Sequence, residues 1–379
     1  MRILLVGEYS LLHNSLKDGL KKLNHEVVLV GSGDGFKNLP SDFLYDSVFC
    51  KNKIVNIFVQ IIFRATQFDV SEVERGLRFW LLMPQLKNFD IVQLINESPV
   101  QTMSFFELFL LKKLFKHNKK IFVLSSGVDF LSVQHMLQNK AQKSILQPFF
   151  KDNSQKKQYK YVLKYLTKGH QKVHDFVFKN AQGIIASDID YVLPLIGNIK
   201  FLGLIPNPIN LDKLTIIDFV IRDKIIIFLG KNIFNAIQKG TAFFEEALTK
   251  IKDEFGNKVE IIVAENIPYN EYINMYNNAH IVLDQVYAHD QGYNALEAMA
   301  KGKVVFTGAE TEFMKYYELS DIVAINAKPD VEYLVEQLRF LIHNPAEIEK
   351  ISRNAKDFIN KHHNYVNVAE QYITMWNKN

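Results

Sequence analysis

A glycine turn that runs into a helix carries the residues best suited to chemistry in this sequence. Residues 289–302 read His-Asp-Gln-Gly-Tyr-Asn-Ala-Leu-Glu-Ala-Met-Ala-Lys-Gly, and this pattern predicts a helix that begins just after Gly292. Unpaired backbone N–H groups in the first turn of a helix attract phosphate oxygens. Glu297, one turn further along, could accept hydrogen bonds from the hydroxyls of a ribose. The segment therefore predicts a site for a nucleotide diphosphate.

Two lysines stand near a second strand end in the same half of the chain. Gly230 and Lys231 follow a run of apolar residues, and Lys239 stands at the start of the next predicted helix. Lysines at the carboxyl edge of a sheet could converge on a diphosphate and neutralise the charge that it gains as a leaving group. A lone pair of lysines is usually solvent-exposed, but the nearby glycine turn favours a functional interpretation.

Gly7 follows the first apolar run, at residues 2–6. A glycine at this point lets the backbone approach a ligand closely, and we interpret it as part of the binding turn. The residues after it lack the three-glycine dinucleotide fingerprint, so a nicotinamide cofactor is not indicated.

Four polar residues follow two strands predicted in the first half. Asn96 and Glu97 come after one strand, and Ser126 and Asp129 come after the next. Asp129 could bind sugar hydroxyls or orient an acceptor, but it could equally cap the helix that follows it. We assign this group to the acceptor side of a site.

Two histidines, His170 and His174, are four residues apart and could share one face of a helix. This spacing is used by metal ligands. No acidic residue or cysteine nearby completes a ligand set, so we expect both to lie on the surface.

These residues stand at the ends of elements that alternate between strand and helix. The turn-forming sequence Ile-Pro-Asn-Pro-Ile-Asn at residues 205–210 separates two such alternations, and it places a domain boundary between residues 205 and 206. We expect an α/β fold of two doubly wound Rossmann-like domains whose strand ends face a shared cleft. The predicted strands cover residues 2–6, 27–30, 91–95, 121–124, 183–186, 201–204, 225–229, 259–264, 281–284 and 304–306; the predicted helices of the second half cover residues 241–252, 270–277, 294–301, 331–343, 346–361 and 366–376.

Length and composition agree with two folded domains. The chain has 379 residues, of which 48% are hydrophobic and 23% charged, and its single cysteine excludes an internal disulfide framework. The apolar run at the start is too short for a signal peptide, so we expect a cytoplasmic protein. No run reaches the ~18 apolar residues that a membrane span needs; the stretch at 54–63 is interrupted by Asn56 and Gln60.

The net charge of +4 conceals an asymmetry between the halves. Residues 1–205 hold 27 Lys and Arg against 17 Asp and Glu, whereas the remainder holds 18 against 24. Residues 105–120 and 149–179 are rich in aromatic residues and lysine. Such stretches could lie on an anionic membrane or beside an anionic acceptor, although an ordinary solvated face is the commoner explanation.

The residues above resemble those of GT-B-fold glycosyltransferases, in particular the retaining enzymes called family four. The resemblance rests on the sequences Phe-Leu-Gly-Lys at 228–231, Lys-Gly at 239–240, Ile-Pro-Asn-Pro at 205–208, and residues 292–302. It implies that Lys231 and Lys239 contact the diphosphate of a nucleotide-sugar donor. The donor-binding residues that it implies are Gly7, Gly230, Lys231, Lys239, Asp290, Gly292, Tyr293, Asn294 and Glu297.

The family carries a Glu eight positions before the residue that matches Glu297, near the transferred sugar, and this sequence has His289 there. Either His289 hydrogen-bonds a different donor sugar, or the adjacent Asp290 takes the place of the carboxylate. The expected catalytic residues are therefore Lys231, Lys239, Asp129 and His289.

The resemblance also implies a reaction and its participants. A sugar would move, with retention of configuration, from a nucleotide-diphosphate sugar to a glycan or lipid-linked acceptor, in cell-surface polysaccharide biosynthesis at the inner face of the cell membrane. No cofactor, metal or nucleic acid is implied. The first domain, residues 1–205, would bind acceptor and be joined by the helix at 364–379, while residues 206–363 would bind donor.

Three alternatives remain open. The protein could be another GT-B enzyme, such as an inverting transferase or a nucleotide-sugar epimerase. It could have kept a nucleotide site and lost turnover, as the missing Glu suggests. A two-lobed small-molecule receptor is disfavoured because the sequence shows no secretion signal.

Overall fold

Two parallel β-sheets, each buried on both faces, form the framework of this protein in a computed structural model. The structure describes all residues except 35–38, 67, 216–220, 222, 266 and 268. Alternate residues of the first strand enter different cores: Leu4 and Val6 pack on one face of the sheet, and Ile3 and Leu5 on the other. Burial on both faces explains why the strands are continuous apolar runs in the sequence.

The first sheet has seven parallel strands in the order β3-β2-β1-β4-β5-β6-β7. The strand order reverses between β1 and β4, which is where ligands of doubly wound sheets bind. Its strands are β1 Arg2–Val6, β2 Glu26–Gly31, β3 Phe43–Leu44, β4 Ile91–Leu94, β5 Lys120–Ser125, β6 Gly183–Ala186 and β7 Phe201–Leu204.

The second sheet has five parallel strands in the order β12-β11-β10-β8-β9. Here the order reverses between β8 and β10. Its strands are β8 Ile225–Lys231, β9 Val259–Glu265, β10 Ile281–Leu283, β11 Val304–Thr307 and β12 Ile325–Asn326.

Helices connect and cover the strands. None of the described helices is both long and apolar enough to cross a membrane. In the first half they are α1 Leu12–Lys22, α2 Lys53–Thr66, α3 Val70–Leu82, α4 Ser104–Lys116, α5 Phe130–Gln138, α6 Gln147–Lys151, α7 Lys160–Leu163, α8 Lys168–Asn180 and α9 Ile189–Val192. The remainder are α10 Ala236–Lys239, α11 Thr241–Phe255, α12 Tyr269–Asn278, α13 Tyr293–Ala300, α14 Thr311–Tyr316, α15 Val331–His343, α16 Pro345–Phe358 and α17 Tyr365–Lys378.

The predicted fold class, an α/β fold of two doubly wound units, is confirmed. All ten predicted strands are present within a few residues of their predicted bounds, and α15 spans the predicted residues. The sequence analysis did not predict the short edge strands β3 and β12 or the helix α2.

The last helix, α17, packs against α1 of the first half of the chain. Tyr372 and Trp376 are fully buried there beneath the first sheet, and the Trp376 indole N–H donates to Gln93 Oε1 at 3.0 Å. The two helices approach closely because α1 has a glycine at the crossing. A Cβ on Gly19 would lie only 2.2 Å from the carbonyl oxygen of Tyr365.

Two aspartates join the strand ends of the two sheets. The Asp190 carboxylate, in the first turn of α9, accepts the backbone N–H groups of His289 and Asp290 at 3.0–3.1 Å. In return, Asp290 Oδ2 accepts the N–H of Ile189 at 3.1 Å. Asp188 lies beside them. Burial raises the pKa of all three aspartates, that of Asp290 to about 7, and neighbouring carboxylates add to the shifts of Asp188 and Asp290.

Lys143 makes a further bridge between the two halves. Its ammonium donates to the Glu310 carboxylate and to the Ala327 carbonyl, each at 2.7 Å. Burial lowers the pKa of Lys143, and the ion pair with Glu310 opposes that shift. The carbonyl of Lys143 accepts a hydrogen bond from His289 Nε2 at 3.0 Å.

Replacing Gly19 with alanine should destabilise the protein. The added Cβ cannot fit against Tyr365, and overpacking of this kind costs roughly 1–3 kcal/mol. The free energy of unfolding from urea titration measures the effect. An alanine in an exposed helix would instead stabilise by roughly 1 kcal/mol, so a gain in stability would contradict the close packing of α1 on α17.

Stability should depend on the protonation of Asp290. Since its pKa is raised in the folded state, its contribution is fully present below about pH 4 and is lost as pH rises through about 7. Between pH 5 and pH 8, the free energy of unfolding should therefore fall by about 1–2 kcal/mol more in the wild type than in Asp290→Asn. Asp175→Asn, which alters an exposed carboxylate, is the control. If the free energies of unfolding of the wild type and Asp290→Asn changed in parallel with pH, the pKa of Asp290 would not be raised in the folded state.

Candidate functional site

A cleft of about 220 Å³ lies between the ends of the two sheets. The first half lines it with the residues around α5 and α9, and the second half lines it with the loop after β10. Among the lining residues are His135, Lys143, Asp190, His289 and Gly292.

The loop after β10, residues 284–292, is held from beneath by buried polar contacts. The Asp284 carboxylate accepts a hydrogen bond from the Lys239 ammonium at 2.7 Å and another from the Thr307 hydroxyl at 3.1 Å. The Gln291 amide donates to the carbonyl of Gly308 at 2.7 Å. A side chain on Gly308 would strike the Asp290 backbone at 2.5 Å, so the loop requires a glycine there. The loop is thus a fixed platform at the carboxyl edge of the second sheet.

Helix α13 begins at the end of this loop without a side-chain cap. Gly292 occupies the N-cap position, and a Cβ there would meet only the Gln285 amide at 3.7 Å. The first-turn N–H groups are therefore available to an anion in the part of the chain that the structure describes. Glu297 is partly exposed one turn further along, with its carboxylate 3.7 Å from the Lys301 ammonium. This is the geometry that the sequence predicted for a nucleotide site.

The two neighbouring residues of α13 differ in exposure. Asn294 is exposed, whereas the Tyr293 hydroxyl is committed to a contact with the other half of the chain, 2.8 Å from Ser15 Oγ on α1. Tyr293 therefore helps to place α13 against the first half.

Each of the two lysines is paired with carboxylates in this structure. Lys231, the last residue of β8, is paired with Glu245 at 2.8 Å and with Glu265 of the neighbouring strand at 3.2 Å. These hydrogen bonds raise its pKa. Lys239 is paired with Asp284 instead, and neither lysine lines the cleft. The predicted contact of both lysines with a diphosphate therefore stays a prediction, in which the phosphate would compete with these carboxylates.

His289 is held in place from both halves of the chain. Its backbone N–H bonds to Asp190, and its Nε2–H donates to the carbonyl of Lys143. Its Nδ1 is buried, has no hydrogen-bond partner among the described residues, and lies 3.9 Å from a carboxylate oxygen of Glu312. When the imidazole is neutral and Nε2 carries the proton, Nδ1 is an acceptor at the edge of the cleft.

Both carboxylate oxygens of Asp290 accept backbone hydrogen bonds in this structure. Its Oδ1 accepts the N–H of Gln291 in the same loop at 2.7 Å, and its Oδ2 accepts the N–H of Ile189 across the joint between the two halves. A movement of Asp290 towards a sugar would have to break these bonds, and it stays a prediction.

The four polar residues assigned to the acceptor side belong to a hydrogen-bond network at the strand ends of the first sheet. Asp129 caps α5: its Oδ1 accepts the Ser132 N–H at 2.7 Å, and its Oδ2 accepts the Ser125 hydroxyl at 2.7 Å. Asn96 donates to the carbonyl of Ser126 at 2.9 Å. None of the four lines the cleft. Of the two alternatives for Asp129, the helix cap is the one observed.

Glu97 belongs to the same network and contacts one of the two histidines. His174 Nδ1 lies 2.7 Å from a carboxylate oxygen of Glu97, and both side chains are buried. The surface assignment of His174 is therefore wrong, because α8 turns this residue towards the strand end. His170 is half-buried beside Thr167.

Gly7 is required by packing as well as by backbone conformation. Its φ is +86°, and a Cβ would lie 2.2 Å from the Ile95 side chain. Glu8 follows it at the switch point of the first sheet. One of its oxygens accepts the Asn14 N–H at 2.8 Å, and the other has no partner among the described residues. Burial raises the pKa of Glu8 to about 7.

The sequence analysis missed several residues that shape the site: Glu8, Ser15, Lys143, Asp188, Asp190 and Glu310. Asp188 and Asp190 follow β6 directly and could have been found by the strand-end rule that selected Asn96 and Asp129. Although they have the Asp-x-Asp spacing, no three His, Cys, Asp or Glu side chains are arranged to hold a metal within the described residues.

Comparison with known proteins bears on the same region and on the fold. Residues 239–374, which include the loop after β10 and α13, match the family described as glycosyl transferase-like. No curated protein matches the chain.

Solved structures resemble the chain over its whole length. Sucrose-phosphate synthase from Thermosynechococcus elongatus has a TM-score of 0.62 at 13% identity, covering 100% of this chain and 98% of that one. Anabaena HepE in complex with UDP and glucose has a TM-score of 0.60 at 11% identity, with 100% of both chains covered. A Listeria monocytogenes protein described as a UDP-N-acetylglucosamine 2-epimerase reaches 0.53 at 11% identity, covering 98% and 94%. The chain has the GT-B fold and resembles the glycosyltransferases built on it.

Proposed function

We propose that this protein is a retaining glycosyltransferase that moves a sugar from a nucleotide-diphosphate sugar to a glycan or lipid-linked acceptor. The observation that carries the proposal is the uncapped start of α13 beside the cleft, with Glu297 one turn further along. It lies within the segment that matches the glycosyl transferase-like family. HepE, which has a similar fold, is described in complex with UDP and glucose.

The donor diphosphate would bind at the first turn of α13. Backbone N–H groups aimed at the phosphates stabilise the charge that develops as the bond to the sugar breaks. Lys239 would add a positive charge from below, since its partner Asp284 stands at the base of the same loop. The proposal needs no protein nucleophile and no metal, because positioning and positive charge supply the stabilisation.

The transferred sugar would lie in the cleft near His289. With Nε2–H donated to Lys143, a neutral imidazole leaves Nδ1 as an acceptor. A sugar hydroxyl could donate to that atom, as it would to a carboxylate. This supports a sugar contact at His289 despite the change from Glu.

An epimerase is the second candidate, supported by the similar fold of the Listeria protein. A panel of nucleotides and nucleotide sugars, screened by thermal shift, tests the nucleotide site first. NMR of the products then separates the reactions. Retention of the anomeric configuration supports the proposal, whereas an inverted configuration or an epimerised sugar contradicts it. The absence of a thermal shift with every nucleotide tested would refute the nucleotide site. Cell-surface polysaccharide synthesis in the cytoplasm is the setting that we propose.

Glu297→Gln should weaken nucleotide binding. Hydrogen bonds to a charged group contribute about 1.5–3 kcal/mol, so their loss should raise the Kd roughly ten- to hundredfold. Isothermal titration calorimetry with the nucleotide selected from the panel measures the change. Glu336→Gln, an exposed carboxylate on α15, is the matched control. Equal affinity of the two variants would remove Glu297 from the site.

Lys239→Met should lower turnover about a hundredfold, because a positive charge at the leaving group would be lost. Methionine retains the aliphatic packing of the lysine. Thermal unfolding must be measured alongside, since Asp284 loses its cationic partner. Lys250→Met, on an exposed face of α11, controls for the loss of a charge. Normal kcat in Lys239→Met would exclude Lys239 from leaving-group stabilisation.

A further inference from the structure

An apolar helix face is exposed on the first half of the chain, far along the sequence from the donor segment. Helix α2 buries only Val59. Five large apolar side chains on it are 41–70% exposed: Ile54, Ile57, Phe58, Ile61 and Ile62. Their spacing places them in one stripe along the helix.

Two exposed polar residues of α2 line a pocket beside the helix. Asn56 and Gln60, which interrupt the apolar run in the sequence, line this pocket of about 410 Å³ together with Val59. Asp69 and Arg75 also line it. The helix is thus amphipathic, and its apolar face is turned outward. An apolar face exposed to water in this way does not stabilise a globular protein.

The charges of α2 favour an anionic partner. The helix contains no acidic residue, and Lys53 and Arg64 stand beside the apolar stripe on the helical wheel. The surrounding half of the chain, residues 1–205, carries a net charge of +10. A second copy of α2 would bring these cations against one another, whereas anionic lipid headgroups would neutralise them.

The neighbouring helix α3 adds further exposed apolar side chains beside those of α2. Helix α3, which contacts α2, exposes Leu77, Trp80 and Leu81. The two stretches that the sequence suggested as membrane-facing are mixed: Phe105, Phe109 and Tyr161 are exposed, whereas Leu110, Leu114, Val162, Val173 and Val177 are buried.

We propose that α2 lies in the interface of an anionic lipid bilayer, with its apolar stripe among the acyl chains and its lysine and arginine at the headgroups. Its 14 residues span about 21 Å, too short to cross a bilayer and suited to lying along its surface. The pocket under α2 would then be within one helix diameter of the lipid. Delivery of a lipid-linked acceptor to that pocket rests on the proposed function; the binding of α2 to lipid does not.

Co-sedimentation of the full chain with vesicles tests the proposal. The wild type should pellet with vesicles of phosphatidylcholine and phosphatidylglycerol at 7:3, and bind at least tenfold more weakly to phosphatidylcholine alone. The variant Ile57→Gln/Phe58→Gln/Ile61→Gln should lose at least tenfold in binding to the anionic vesicles. Lys53→Gln/Arg64→Gln should also bind more weakly and should show less dependence on salt.

The matched control changes three exposed apolar residues elsewhere, Ile199→Gln/Ile322→Gln/Phe340→Gln, and should bind as the wild type does. Because the α2 side chains are exposed, their replacement should leave the melting temperature unchanged. Equal binding by the α2 and control variants, or wild type that stays in the supernatant, would overturn the proposal. A concentration-dependent dimer that the α2 variant abolishes would assign the face to self-association instead. Nucleotide thermal shifts of the same variants test the donor site separately.

Discussion

The site depends on the contact between the Asp190 carboxylate and the backbone N–H groups of His289 and Asp290. Burying a carboxylate without hydrogen-bond donors, or N–H groups without acceptors, costs free energy. Here each half of the chain supplies the hydrogen-bond partners that the other half needs. Asp290 returns the same kind of bond to Ile189. The loop that leads into α13 is therefore shaped by both sheets, and the cleft exists only while they are apposed.

This contact is also electrostatically strained. Asp190 lies close enough to Asp188 and Asp290 to raise the pKa of both, and Lys143 is paired with Glu310 rather than with any of them. Like charges favour separation, while the hydrogen bonds favour closure. The balance between these opposing terms makes the joint sensitive to protonation, in a position where domain movement would open the cleft.

The sequence predicts strands well because buried parallel strands are continuous apolar runs, and the strand-end rule places polar residues on the correct edge of each sheet. It does not predict their partners. Lys231 pairs with Glu265 because β8 and β9 are adjacent in register, and Asp190 meets the loop after β10 only after both sheets have formed. Asp129 and Glu97 satisfy nearby backbone groups, which a sequence cannot distinguish from ligand contacts.

Helix α2 was missed for a related reason. Asn56 and Gln60 look like interruptions of an apolar run, whereas in the structure they line a pocket beside the helix and the apolar stripe lies on another face. The usual assumption that apolar residues face the core assigns the wrong side of this helix. Only the tertiary structure reveals that the stripe has no intramolecular cover among the described residues.

His289 shows how the departure from the family pattern can be compatible with a sugar site. A carboxylate at this position would add another acidic group beside Asp190 and Asp290, whose pKa burial already raises, and near Glu312. An imidazole adds no negative charge, and its Nε2–H satisfies the carbonyl of Lys143, which a carboxylate could not do. The histidine is therefore compatible with the aspartates that join the two halves. A neutral hydrogen-bond acceptor at this position avoids a further negative charge beside them.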